Sequence, residues 1–126
     1  MTSIDPVEKV DQIVKMLLRL TRSRKLDWQT DDPWNKSTYT VSLPGYSASI
    51  SSEDNDGLHP FHLTLFDSQG QPFETISSER DMDGDWDRRS YSLGELYEAV
   101  RRRVLNTDVA LDNFLTELKG IDETPF

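Results

Sequence analysis

The chain has 126 residues, no cysteine and a net charge of −9. A single domain is therefore expected, and disulfides, thiolate metal sites and thiol catalysis are excluded. The negative charge repels phosphate and argues against nucleic-acid binding. Because the N-terminus shows no signal peptide and the apolar runs are far shorter than the roughly 20 residues that span a bilayer, we expect a cytoplasmic protein without a membrane segment.

The first element is predicted to be an amphipathic helix. Asp5 can cap it, Pro6 suits the first helical position, and Glu8 follows three residues after the cap. Apolar residues then recur at helical spacing at Val10, Ile13, Val14, Leu17 and Leu20. We expect this helix to end near Arg24.

The period then changes to that of β-strands. In the loop between, Leu26 and Trp28 are expected to fold back onto the core. Apolar and polar residues alternate in four runs separated by turn signals such as Pro44-Gly45: residues 37–43, 46–52, 61–66 and 72–77. This pattern predicts an antiparallel meander with one buried face, whereas the other face should carry small hydroxyl side chains.

Two further helices are predicted after the strands. The sequence Ser92-Leu93-Gly94-Glu95 reads as a capping box, and an apolar stripe follows at Leu93, Leu96, Tyr97, Val100 and Val104. A second stripe, which Gly120 ends, follows at Val109, Leu111, Phe114, Leu115 and Leu118. We therefore predict a two-layer α+β domain over residues 1–126, with an N-terminal helix, a four-stranded antiparallel meander and two C-terminal helices packed on one sheet face.

The order of these motifs resembles a set of small, uncharacterised bacterial proteins of an actinobacterial type. The matching segments are residues 26–28, 63–70, 96–97 with Arg101, and 108–118. The resemblance would extend over residues 7–119 and rests mainly on packing and turn residues. It implies a shared α+β fold and carries no established activity or catalytic residue.

Charge is distributed unevenly along the chain. Residues 31–87 hold Lys36 and Arg80 against twelve acids, whereas residues 88–126 hold six bases and seven acids. The acidic stretch "SERDMDGDWDRRS" within the central segment partly follows the spacing of a calcium-binding loop, with candidate ligands at Glu79, Asp81, Asp83, Asp85 and Asp87. Ser90 stands where the closing bidentate glutamate belongs, so calcium binding is kept as an alternative hypothesis.

The two histidines, His59 and His62, are three residues apart. We expect His59-Pro60 to end a loop and His62 to join the polar sheet face. Since strand side chains alternate, they are not expected to share a metal ion.

The first hypothesis for function is a non-enzymatic accessory protein, immunity-like or inhibitor-like, that engages a basic protein without a cofactor. Its candidate partner-binding residues are Glu53, Asp54, Asp56, Asp81, Asp83, Asp85, Trp86, Asp87 and Trp34. A small enzyme of unassigned chemistry is a third hypothesis. The sequence leaves the oligomeric state open between a monomer and a homodimer.

Overall fold

The computed structural model describes residues 6–30, 38–54 and 57–123, without the side chains of residues 107 and 108. Within these residues the elements are α1 (Pro6–Arg22), β1 (Thr38–Ser42), β2 (Ser47–Ser52), β3 (Phe61–Phe66), β4 (Pro72–Ser77), α2 (Arg88–Leu105) and α3 (Thr107–Asp122). The strands form one antiparallel sheet in the order β1-β2-β3-β4. The predicted α+β class and meander are thus confirmed. The predicted cap Asp5 lies outside the described residues.

The core lies between one face of the sheet and the helices α1 and α2. Tyr39, Ile50, Leu63 and Ile76 form a continuous row across the four strands, and all four are buried. Burial alternates along β1, β2 and β3, as the period of two predicts. From the helices, the buried apolar residues are Val14, Leu17, Leu93, Leu96, Tyr97 and Val100.

The loop after α1 returns to this core, as predicted. Leu26 and Trp28 are both buried. The indole N–H of Trp28 donates a hydrogen bond to the Thr21 hydroxyl over 2.9 Å. Thr21 in turn donates to the Leu17 carbonyl over 2.6 Å. The buried polar atoms of this loop are therefore satisfied, which allows Trp28 to contribute its large apolar surface.

Helix α2 begins one turn earlier than the sequence predicts. Its N-cap is Asp87, whose carboxylate accepts a hydrogen bond from the backbone N–H of Ser90 at 2.8 Å. Ser92 lies inside the helix instead, and its hydroxyl donates to the Arg88 carbonyl over 3.4 Å. The predicted capping box is therefore wrong. Asp87 and Ser90 form the cap because Ser90 is fully buried and links the helix start to Glu79, which follows β4.

Helix α3 does not pack on the sheet. The prediction that both C-terminal helices pack on one sheet face is therefore right for α2 and wrong for α3. Its large apolar residues are all exposed: Val109, Leu111, Phe114, Leu115, Leu118 and Ile121. Four strands about 4.8 Å apart make a face that two helices about 10 Å wide already cover. The left-handed Asn106 (φ 51°, ψ 41°) ends α2 and redirects the chain away from the sheet.

Candidate functional site

Two acidic loops meet at one end of the sheet. The first runs from Glu53 to Pro60 between β2 and β3, and the second runs from Glu79 to Asp87 between β4 and α2. Ser52 pairs with Phe61, and the N–H of Ser78 donates to the Phe61 carbonyl over 2.9 Å. Because antiparallel strands alternate in direction, both loops leave the sheet at the same end. We call the described residues of these two loops the acidic end.

An aromatic stack connects the two loops of the acidic end. The ring of His59 lies on the indole of Trp86, with centroids 4.7 Å apart and planes 27° from parallel. The Arg80 guanidinium covers the same indole at 4.2 Å from a ring centroid. His59 Nδ1 also lies 2.9 Å from the Ser78 hydroxyl oxygen. The loops therefore form one surface, in which Trp86 contacts both a histidine and an arginine.

The surroundings of His59 favour its neutral form. Burial is the main cause that lowers the pKa of His59 from its usual 6.5, and the positive charge of Arg80 lowers the pKa further. The sequence did not predict a role for His59 or Arg80 in this surface. The predicted strand order places both loops at the same end of the sheet. This order was the feature of the sequence that indicated that the two loops are neighbours.

The loop that carries the aspartates is held by its own backbone hydrogen bonds. The Asp81 carboxylate accepts the backbone N–H groups of Asp83 at 2.9 Å and Asp85 at 3.1 Å. The Asp81 N–H donates to the Asp85 carbonyl over 2.7 Å, and Gly84 takes a positive φ of 83° that a glycine adopts without strain. This arrangement is an aspartate-stabilised turn, so Asp81 has a structural role.

Asp87 also has a structural role, since it accepts both the N–H and the hydroxyl of Ser90. The hydrogen bond from the Ser90 hydroxyl is the largest cause that holds the pKa of Asp87 below its usual 3.8. Two of the predicted partner-binding residues are thus engaged within the fold. Asp81 is nevertheless exposed, as are the other acids Glu79, Asp83 and Asp85 of the same loop, beside a fully exposed Met82 at the tip.

The five carboxylates proposed for calcium do not come together. Across residues 6–30, 38–54 and 57–123, no group of three or more Asp, Glu and His side chains is placed to hold a metal ion. Asp81 and Asp87 direct carboxylate oxygens to backbone N–H groups at opposite ends of the loop. The calcium hypothesis therefore lacks the convergent ligand set that it requires.

The first loop adds Glu53 and Asp54, which are both exposed, to the acidic end. Glu53 Oε1 lies 3.7 Å from His62 Nε2, and His62 Nδ1 lies 2.7 Å from the Ser77 hydroxyl oxygen. His62 pairs with Ser51 and Ser77 in the sheet register, so its predicted place on the polar face is confirmed. The predicted site residues Asp56 and Trp34 lie outside the described residues.

A groove of about 550 Å³ lies beside the acidic end, between the C-terminal half of α1 and α2. Its charged lining includes Arg22, Arg24, Glu95, Glu98, Arg102 and Arg103, and His59 borders it. Arg22 pairs with Glu95 at 3.4 Å, and Arg103 pairs with Asp27 at 3.0 Å. Arg102 also pairs with Glu98 at 3.4 Å. Ion pairs therefore balance most of the lining charge, and the four arginines against two glutamates leave the groove with a small positive excess.

No protein-family model, curated protein or solved structure matches this chain. The resemblance to small bacterial proteins therefore stays a prediction. None of the described helices combines the length and the apolar character that crossing a bilayer requires.

Lowering the pH is expected to disturb the stack between His59 and Trp86. Because the pKa of His59 lies below 6.5 in the folded state, the stability that the neutral ring contributes is present above pH 6.5 and is lost as the pH falls through the folded-state pKa. Tryptophan fluorescence should therefore show a transition with a midpoint below 6.5 that His59→Gln removes. His62→Gln is the matched control and should keep the transition. If His62→Gln loses the transition and His59→Gln keeps it, the transition does not come from the stack of His59 on Trp86.

Proposed function

We propose that this chain is a non-enzymatic accessory protein, immunity-like or inhibitor-like, that engages a basic protein through the acidic end. The observation that carries the proposal is the stack of His59 on Trp86, which joins two acidic loops into one surface. A cytoplasmic location and a kinship with the small bacterial proteins described above are part of this proposal.

The charge of the acidic end supports a basic partner. Its described residues include seven carboxylates, with Arg80 as the single Lys or Arg among them. Asp83 and Asp85 are exposed and their backbone is held by a hydrogen-bonded turn, so binding them costs little backbone ordering entropy. Charges arranged in this way raise association rates for an oppositely charged partner and are screened by salt.

Met82 and Trp86 supply the apolar part of the proposed interface. Met82 stands fully exposed at the tip of the turn, between Asp81 and Asp83. Methionine adapts its shape to a partner, and tryptophan is enriched among residues that dominate binding energy. An apolar tip surrounded by carboxylates fits a basic surface that holds a small apolar pocket.

The proposal predicts that charge reversal in the loop weakens binding to cationic chains. The probe is a labelled lysine-rich peptide, whose binding is followed by fluorescence anisotropy at salt concentrations of about 50 and about 300 mM. Asp83→Lys combined with Asp85→Lys should weaken binding about tenfold at the lower salt concentration, because two attractive charges become repulsive. The effect should shrink at the higher concentration.

Glu74→Lys is the matched control, because Glu74 is exposed on β4 and pairs with Leu65, towards the other end of β3 from the acidic end. Glu74→Lys reverses one charge, whereas the loop variant reverses two. If the loss of binding per reversed charge is the same in both, total charge decides the affinity. That result would contradict a defined binding surface. The same variants used as bait with extracts of the native cell should separate a partner that requires the loop from proteins retained by charge alone.

A further inference from the structure

The groove between α1 and α2 changes its chemistry along its length. Its lining residues on α2 recur at intervals of three and four, so they share one face of the helix: Tyr91, Gly94, Glu95, Glu98, Arg102 and Asn106. An aromatic ring therefore lies at the first end of the groove, carboxylates in the middle and arginine at the other end. The volume of about 550 Å³ falls in the range of small-molecule sites.

The aromatic end offers an exposed ring and a hydrogen-bond donor. Tyr91 is 58% exposed, and its ring centroid lies 6.4 Å from that of His59. Ser78 Oγ accepts the backbone N–H of Phe61 at 2.8 Å, which leaves the Ser78 proton for His59 Nδ1. The neutral His59 ring then carries its own proton on Nε2. Because Gly94 has no side chain, Nε2 lies close against α2 at the edge of the groove, 3.6 Å from where a Cβ would stand.

The two carboxylates in the middle of the groove keep acceptor capacity. Glu95 Oε2 lies 3.4 Å from Arg22 Nη2, and Glu98 Oε1 lies 3.4 Å from Arg102 Nε. Both ion pairs use one oxygen of a carboxylate that can accept about four hydrogen bonds. The arginines therefore neutralise the charge and leave oxygens that can accept from hydroxyl groups, as an acidic residue does for the ribose in dinucleotide sites.

The arginine end has cationic donors left for an anion. Among the described residues, Arg24 forms no ion pair. Arg103 donates from Nη2 to Asp27 over 3.0 Å, whereas its Nε is buried without a hydrogen-bond partner in the described part of the chain. A buried donor without an acceptor is costly, and a small rotation of this side chain presents it to an acceptor in the groove. Residues 22–27 and 95–103 together hold six bases and three acids, so the local charge is positive.

We propose that this groove binds a nucleoside monophosphate. Its phosphate lies against Arg24 and Arg103, because guanidinium groups match the geometry of phosphate oxygens. Its ribose hydroxyls donate to Glu95 and Glu98, and its base packs on the ring of Tyr91. The net charge of −9 opposes a long nucleic acid, whereas a mononucleotide meets only the local positive charge. The site goes beyond the proposed function and does not depend on it, since no carboxylate of the acidic end takes part.

A titration of isotope-labelled protein with adenosine 5′-monophosphate, followed by backbone amide chemical shifts, tests the proposal. Because base stacking tolerates every base, this nucleotide represents the class. The shifts should lie along the groove and saturate with a dissociation constant on the order of 0.1–1 mM. Adenosine and inorganic phosphate should each bind at least about tenfold more weakly, because each lacks part of the contacts. The absence of saturable shifts at about 10 mM, or shifts outside the groove, would overturn the proposal.

Arg24→Asn tests the phosphate contact. Arg24 has a positive φ of 60°, which asparagine adopts more readily than most residues, so the fold should be kept. Binding of the nucleotide should weaken about tenfold, whereas binding of adenosine should not change. Arg19→Gln is the matched control, because it removes the same charge from α1 outside the groove, and it should change the dissociation constant less than about twofold. Equal losses in the two variants would mean that total charge attracts the nucleotide, against a defined site.

Tyr91→Ala tests the base contact. The nucleotide should bind about tenfold more weakly, whereas the binding of inorganic phosphate should stay the same. Tyr46→Ala is the matched control, since Tyr46 is also 58% exposed but lies between β1 and β2, outside the groove. It should keep the original affinity. A Tyr91→Ala variant that binds the nucleotide as tightly as the original chain would contradict the proposed place of the base.

Discussion

Leu96→Ala is expected to lower the free energy of unfolding by about 3 kcal/mol. Leu96 is fully buried in α2, where it lies in the cluster formed by the sheet, α1 and α2. Its truncation removes buried methyl groups and leaves a cavity that the surrounding β-branched and aromatic residues cannot close. Urea unfolding followed by circular dichroism measures the effect through the transition midpoint.

Leu118→Ala is the matched control for this prediction. It removes the same atoms from α3, where Leu118 is half exposed and lies outside the core. The free energy of unfolding should change by less than about 0.5 kcal/mol. A cost for Leu118→Ala similar to that for Leu96→Ala would mean that α3 packs onto the domain in solution, which would contradict the observed fold.

Asp87→Ala should cost about 1–2 kcal/mol of stability, because it removes the N-cap of α2 and leaves the Ser90 N–H without its acceptor, while the Ser90 hydroxyl keeps only the Glu79 carbonyl at 3.1 Å. The change also weakens the link to β4, since the Ser90 hydroxyl oxygen accepts a hydrogen bond from the backbone N–H of Glu79 at 2.7 Å. Asp87→Asn keeps a capping oxygen and should cost clearly less. Equal costs for the two variants would show that the cap hydrogen bonds contribute little.

The contribution of Asp87 should also depend on pH in a defined direction. The pKa of Asp87 in the folded protein lies below its usual 3.8, so its ionised form stabilises the fold. This contribution is fully present above pH 3.8 and is lost as the pH falls through the folded-state pKa. The difference in stability between the original chain and Asp87→Asn should therefore shrink below pH 3.8. A difference that grows on acidification would contradict the assigned cap.

The acidic loop shows how far a ligand pattern alone can be interpreted. Its aspartates have part of the spacing of a calcium loop, yet Asp81 and Asp87 are used to hold a turn and to begin a helix. Aspartate serves in both settings because a carboxylate accepts hydrogen bonds from backbone N–H groups as readily as it binds a cation. Spacing along the chain does not specify whether several carboxylates point to a common centre.

Local regularities of the sequence determined the larger part of this fold. The alternation in residues 38–43 and 61–66 and the helical stripes around Leu17 and Leu96 were sufficient to locate the strands, α1 and α2 and to select their buried faces. These features are local because the side-chain period is set by the geometry of each element. The same regularity identified α3 as an amphipathic helix but not what would cover it.

Contacts between distant segments were decided by the tertiary structure alone. His59 and Trp86 are 27 residues apart and meet because β3 and β4 return their loops to the same end of the sheet. The start of α2 at Asp87 depends on Ser90 being buried against Glu79, which follows β4. Helix α3 is exposed because two helices already fill the width of a four-stranded sheet. The sequence by itself therefore determined the elements and their buried faces. The packing space on the sheet and the return of the chain decided which residues form the acidic end and which helix lies outside the core.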